Sequence, residues 1–146
     1  MNFDLLIGQP GQTIDSMSRT CDEIVRLKPT LVQLSLMAYK PWVAKYQVQM
    51  LSEGPLPDFF ERKELLEVIH KKLQDGGYIR TGFECYSLPD SPMTKAFEEG
   101  QAHYGAAGHQ PGGRVNFIAV GSSSMSNLGN DYYAQNFYDL PSYKKA

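Results

Sequence analysis

The chain alternates short apolar runs with stretches that repeat at helical spacing. Phe3–Ile7 reads as a strand, and Gly8–Thr13 is a loop by its glycine and proline content. Thr13 is placed to cap a helix running to about Leu27, with Met17, Cys21, Ile24 and Val25 on one face and Pro29 as the stop. Leu31–Met37 is a second strand, which completes a unit of strand–helix–strand size. A longer excursion follows, with a short helix expected within Val43–Leu51. Asp58 then caps the clearest helix, Phe59–Asp75, with Phe59, Leu65, Leu66, Ile69 and Leu73 as its apolar positions and Gly76-Gly77 as its end. Tyr78–Tyr86 reads as a third strand, Ser91-Pro92 opens a helix to about His103, and Val115–Val120 reads as a fourth strand. Gly105–Gly113 and Gly121–Gly129 are expected loops, and Tyr132–Ala146 a tail with one last helical turn. Strands separated by helices imply parallel pairing with right-handed crossovers. The expected fold is α/β in a single domain spanning 1–146. About four parallel strands with flanking helices do not close a barrel, so they are expected to be part of a larger sheet.

Composition narrows the function classes. With 42% apolar and 21% charged residues the chain is that of an ordinary globular protein. A formal charge of −2 and no basic run argue against a nucleic-acid partner. No segment approaches the length needed to span a bilayer, and the N-terminus lacks the pattern of a signal peptide. Cys21 and Cys85 read as reduced, buried thiols, which points to the cytoplasm.

Ligands of parallel α/β folds sit at the carboxyl ends of strands. Asp4 stands inside an apolar strand, where a buried carboxylate requires a partner. That partner is a ligand group or a structural hydrogen bond, and the pattern alone leaves both open. The hydroxyl-rich Gly121–Ser126 run lacks the lysine of a phosphate loop. His103 and His109 fit no established metal spacing. Glu84 either pairs with Arg80 or faces a cavity.

Several segments resemble one family in order along the whole chain. Asn2–Thr13 (Asn-Phe-Asp-Leu-Leu-Ile-Gly-Gln-Pro-Gly-Gln-Thr) is similar to the V-D-L-I-x-G-L-P-x-Q-T strand and loop of oxygen-independent coproporphyrinogen III oxidases, which are radical S-adenosylmethionine enzymes. Leu34–Tyr39, Leu73–Tyr78, Ala119–Ser126 and Tyr133–Asn136 continue the resemblance. It implies a partial (β/α) barrel, a [4Fe–4S] cluster, S-adenosylmethionine, and a tetrapyrrole substrate whose propionates become vinyl groups. It also implies that Asp4 contacts S-adenosylmethionine, that Ala38 is a backbone position lining that site, and that Met125 is an apolar position beside the cofactor. No catalytic residue is assigned. The family's C-x3-C-x2-C cluster ligands are absent from this sequence, so no metal ligand is assigned either. Where the family has a G-M-D-H-F-A run, this chain has Gly82-Phe83-Glu84-Cys85-Tyr86-Ser87, without the Asp-His pair. The expectation is a C-terminal portion of the catalytic barrel, inactive alone. It would self-associate as a homo-oligomer or pair with a complementing N-terminal half. The alternatives are a non-catalytic tetrapyrrole- or adenosyl-binding module, or a related radical enzyme acting on haem.

Overall fold

The computed structural model describes residues 1–105, 108–112, 116–129 and 132–146. A four-stranded sheet in the order β1-β2-β4-β3 forms its centre. β1 is Asn2–Ile7, β2 Leu31–Leu36, β3 Ile79–Gly82 and β4 Cys85–Ser87. Helices α1 (Ile14–Leu27) and α2 (Phe59–Asp75) pack on each other and on one face of this sheet. A 3-10 helix, Lys45–Glu53, occupies the excursion between β2 and α2.

Both long helices begin where their capping chemistry dictates. The Thr13 hydroxyl accepts from the Ser16 N–H at 3.1 Å, and the Ser16 hydroxyl accepts from the Thr13 N–H at 3.0 Å. Asp58 and Glu61 make the same reciprocal pair at 2.9 and 2.7 Å. Each box satisfies two donors that the first helical turn leaves without partners. α1 buries Met17, Cys21 and Ile24, and α2 buries Leu65, Ile69 and Leu73, against Ile7, Val32, Leu34 and Tyr86 of the sheet. Phe59, expected on the apolar face of α2, is 75% exposed, because it sits at the first helical position, ahead of the stripe that meets the sheet.

The pairing corrects the expectation of four parallel strands. Only β1 and β2 are parallel, while β4 is antiparallel to both β2 and β3. The apolar run Tyr78–Tyr86 is not one strand but a hairpin that turns at Phe83-Glu84. So short a connection permits only antiparallel neighbours. α3 (Pro92–Glu98) stops earlier than the proline-led start suggested, at a left-handed Gly100. The fourth expected strand, Val115–Val120, does not join the sheet. Val115 lies outside the described residues, and of the rest only Phe117 bridges Asn127. Ile118 and Val120 are 77% and 87% exposed, because this segment runs beside Met125–Leu128 instead, where the Ala119 N–H donates to the Ser126 hydroxyl at 3.0 Å. Both expected loops contain hairpins: β5 (His103–Gly105) with β6 (Gly108–Gln110), and β7 (Met125–Leu128) with β8 (Tyr132–Gln135). The tail ends in the single helical turn α4, Leu140–Tyr143.

The sheet's second face is covered on its β3–β4 side by α3. There the hydroxyls of Thr81, Ser87 and Thr94 form a buried ladder, Thr81 to Ser87 at 3.1 Å and Ser87 to Thr94 at 2.7 Å, tying β3 and β4 to α3. On the helix-covered face, the fully buried Tyr86 hydroxyl meets His70 Nδ1 at 2.6 Å. Burial, with Arg80 nearby, pushes the His70 imidazole below its usual value of 6.5, and Glu67 opposes this. His109 is also pushed down by burial. The unfolded chain therefore binds more protons than the native one as pH falls through 6.5, and stability is lost on that side. Chemical denaturation at pH 7 and at about pH 5 should show lower stability at the acid end, with a smaller pH dependence in His70→Gln. An unchanged slope in that variant would remove His70 as a cause.

Candidate functional site

The period-two alternation of β1 decides where Asp4 lies. Phe3, Leu5 and Ile7 turn toward the helices, so Asn2, Asp4 and Leu6 turn to the opposite face, where all three are exposed. This corrects the premise of a buried carboxylate. Asp4 stands on an open sheet face, and no structural partner has to be invoked for it. In the parallel ladder Asp4 is level with Gln33 of β2, which is level with Cys85 of β4. At about 4.8 Å between strands, Glu84 at the β3–β4 turn lies two strand spacings, roughly 10 Å, across the sheet from Asp4.

These residues floor a cleft of about 260 Å³ lined by Asp4, Gln33, Leu34, Ser35 and Glu84, with Tyr104, Gly108 and His109 of the β5–β6 hairpin above. The hairpin is pinned to the sheet through the His109 N–H, which donates to the Gln33 side-chain carbonyl at 3.1 Å. Gly108, at φ +82°, gives the turn its left-handed residue and leaves Gln33 room to approach. Tyr104 meets the His109 ring edge-on, with centroids 4.9 Å apart. Glu84 favours the protonated imidazole of His109, partly offsetting its burial. The Leu34 N–H donates to the Glu84 carbonyl at 2.7 Å, which fixes the turn against β2.

Of the three residues expected at an adenosyl site, only Asp4 lines this cleft. Ala38 is exposed just beyond the carboxyl end of β2, where its carbonyl accepts from the Gln47 side chain at 3.1 Å. Met125 is half-buried at the start of β7, level with Gln135. Gln33 and Ser35 escaped the sequence reading, because in a run read as one apolar strand their side of the pleat carries no separate signal. The strict alternation of Val32, Leu34 and their polar neighbours is what could have found them.

The chain's thiols do not fit an iron–sulfur cluster. Cys21 and Cys85 are both fully buried, on opposite faces of the sheet layer. Burial, assisted by Asp22, pushes the Cys21 thiol up to about 11, and burial raises Cys85 as well. A cluster ligand must be a thiolate, and these environments disfavour one. Among the described residues, no group of three histidine, cysteine, aspartate or glutamate side chains is placed to hold a metal. Neither thiol should react with iodoacetamide in the native protein, and both should in denaturant. Anaerobic incubation with iron and sulfide should leave no stable cluster absorption. A stable [4Fe–4S] spectrum from this chain would sink that assignment.

No family model matches the chain. It is 32% identical over 146 residues to the oxygen-independent coproporphyrinogen III oxidase of Cereibacter sphaeroides and 31% identical over 145 residues to that of Pseudomonas aeruginosa. These alignments take in 100% and 99% of this chain but 32% and 31% of those proteins, so the chain spans about a third of their length. Among solved structures it matches the coproporphyrinogen III oxidase of Escherichia coli, a radical SAM enzyme, with a TM-score of 0.82 and 27% identity. That match covers 96% of this chain and 32% of the other. Over its whole length, then, the chain is similar in sequence and in fold to about a third of an oxygen-independent coproporphyrinogen III oxidase, the same family that its motifs resemble.

Proposed function

We propose that this chain supplies the part of a coproporphyrinogen-oxidase-type radical site that holds the adenosyl ligand and faces the tetrapyrrole, and that residues outside it supply the cluster. In this reading the β1–β2 pair with its helices is a section of a partial barrel, and the open face carrying Asp4 is the inner surface. The observation that supports this most is the end-to-end match to the oxidases, together with an Asp4 carboxylate presented on an uncovered sheet face rather than consumed in the core.

Asp4 suits hydrogen bonding to a hydroxylated or amino ligand, since a carboxylate offers acceptors only. Ala38 would lend backbone groups at the carboxyl end of β2, and Met125 an apolar contact. S-adenosylmethionine would bring the reactive adenosyl group. This chain's own share is to bind and orient it, because its thiols cannot ligate a cluster. A cytoplasmic location goes with this reading, and no helix among the described residues is long and apolar enough to cross a membrane. Calorimetric titration with S-adenosylhomocysteine, which needs no cluster, should give saturable binding with one site. Absence of heat and of competition by S-adenosylmethionine would overturn the reading.

The thiol environments also favour a second reading, in which the chain is a binding module without catalysis. Mixing it with a separately produced cluster-bearing segment of a relative separates the two. Turnover of coproporphyrinogen to its vinyl product supports the first, and ligand binding without turnover supports the second.

Among the described residues, both edges of the sheet, β1 and β3, have a free side. A groove of about 380 Å³ beside β1, lined in part by Phe3, Leu5, Ile24 and Leu27, adds apolar surface to the first edge. Unpaired edges with adjoining apolar surface favour association. We expect a mass above 16.4 kDa by light scattering at micromolar concentration, and a clean monomer would refute it.

A further inference from the structure

The sequence departs from its family at Gly82–Ser87, where a glutamate and a cysteine stand in place of the Asp-His pair. The fold brings an imidazole from elsewhere in the chain into the cleft that this acid lines. Cys85 is buried on the β4 strand, while the ring of His109 lies over Gly82, in the space a side chain at position 82 would need. Glu84 and His109 line the same cleft and act on each other electrostatically. An acid and an imidazole 25 residues apart in sequence thus share one cleft, with the Tyr104 ring beside the imidazole.

We propose that Glu84 and His109 together receive the nitrogen side of the ligand in this cleft, with Glu84 accepting a hydrogen bond from a pyrrole N–H. This deepens the reading above and rests on it, since it assumes a tetrapyrrole substrate. The cleft's size and chemistry select that end of the molecule. At about 260 Å³ it is smaller than a site for a whole drug-sized ligand, so it takes one ring-sized portion. Glu84 and Asp4 give it negative charge, and none of its lining residues is lysine or arginine among those described. A propionate would be repelled there, whereas an N–H donor finds a charged acceptor and an aromatic wall. The tetrapyrrole's nitrogen side turns toward Glu84, and its carboxylate arms lie outside the cleft. Asp4, roughly 10 Å across the sheet, stays with the adenosyl ligand.

Heteronuclear NMR of the isotopically labelled chain tests this with pyrrole, N-methylpyrrole and a pyrrole carboxylate as probes. Pyrrole should shift the Glu84, Tyr104 and His109 signals saturably. N-methylpyrrole and the carboxylate should bind roughly 5- to 150-fold more weakly, as expected for losing one charged hydrogen bond or adding like charge. Glu84→Gln, which keeps an uncharged acceptor, should reduce the discrimination between pyrrole and N-methylpyrrole and lower the His109 titration midpoint. Glu84→Ala, which removes the acceptor, should abolish that discrimination and lower the midpoint as well, and unchanged core signals verify the fold of either variant. Equal shifts from pyrrole and N-methylpyrrole, or a His109 midpoint indifferent to both substitutions, would overturn the proposal. Coproporphyrin binding is followed in parallel by quenching of the intrinsic fluorescence. Porphyrin binding without pyrrole shifts in the cleft defeats this inference alone. Loss of both defeats the tetrapyrrole reading as well.

Discussion

Ile69→Ala should lower the stability of the protein by about 2–5 kcal/mol, the range for truncating a fully buried aliphatic side chain. Ile69 is 0% exposed and sits in the core cluster where α2 meets the sheet, among Leu65, Leu73, Val32 and Tyr86. Removing three carbons there loses transfer energy and leaves a cavity that close-packed neighbours fill only in part. Domains of this kind have total stabilities of about 5–15 kcal/mol, so the loss is a large fraction. Thermal unfolding followed by circular dichroism should show Tm lower by roughly 6–20 °C. Phe59→Ala on the same helix removes a larger side chain that is 75% exposed, and should change stability by about 0.5 kcal/mol or less. If Phe59→Ala proved the more damaging of the two, the assignment of the helix's buried face would be wrong. The same core carries the floor of the cleft, so Ile69→Ala should also weaken ligand binding in proportion to the unfolded fraction, and not below the melting transition.

Asp4→Asn separates binding from folding. Because Asp4 is exposed on the open face of β1, and Phe3, Leu5 and Ile7 carry that strand's packing, its amide should leave Tm unchanged. Binding of S-adenosylhomocysteine should weaken by about 1–3 kcal/mol, the worth of a hydrogen bond to a charged acceptor, or roughly 5- to 150-fold in dissociation constant. Calorimetry and thermal unfolding on one preparation decide the matter. Unchanged affinity with a clear melting loss would assign Asp4 to structure and withdraw it from the site.

The elements written most plainly in the chain are the two long helices. Thr13 with Ser16, and Asp58 with Glu61, are local devices. Their partners lie three residues apart, so the start of each helix needs nothing distant, and the buried stripes Met17-Cys21-Ile24 and Leu65-Ile69-Leu73 follow from the helical period alone. The β1–β2 pairing was legible for a related reason, since a helix of that length between two apolar runs returns the chain in parallel. Asp4 stood out as the odd residue of its strand, but the pattern could not say which way its side chain pointed relative to helices not yet placed. Glu84 was left between an ion pair and a cavity. Its cavity is closed by the β5–β6 hairpin, which folds back over it and is pinned by the contact between His109 and Gln33.

By itself, then, the sequence determined what is decided within a few residues: the helix starts, their buried faces, the polar character of the turns, and the ordered motifs that tie the chain to its relatives. The tertiary structure decided what depends on partners far apart in the chain. A two-residue turn at Phe83-Glu84 made Tyr78–Tyr86 an antiparallel hairpin, and so left one parallel pair where four parallel strands were expected. The bridge from Phe117 to Asn127 ties Asn116–Val120 to β7 and not to the central sheet. The packing of both long helices on a single face left Asp4 on the open one. The sharing of one cleft by Glu84 and His109 is the clearest case, because their separation in sequence hides a proximity that only the folding of one hairpin over the sheet creates.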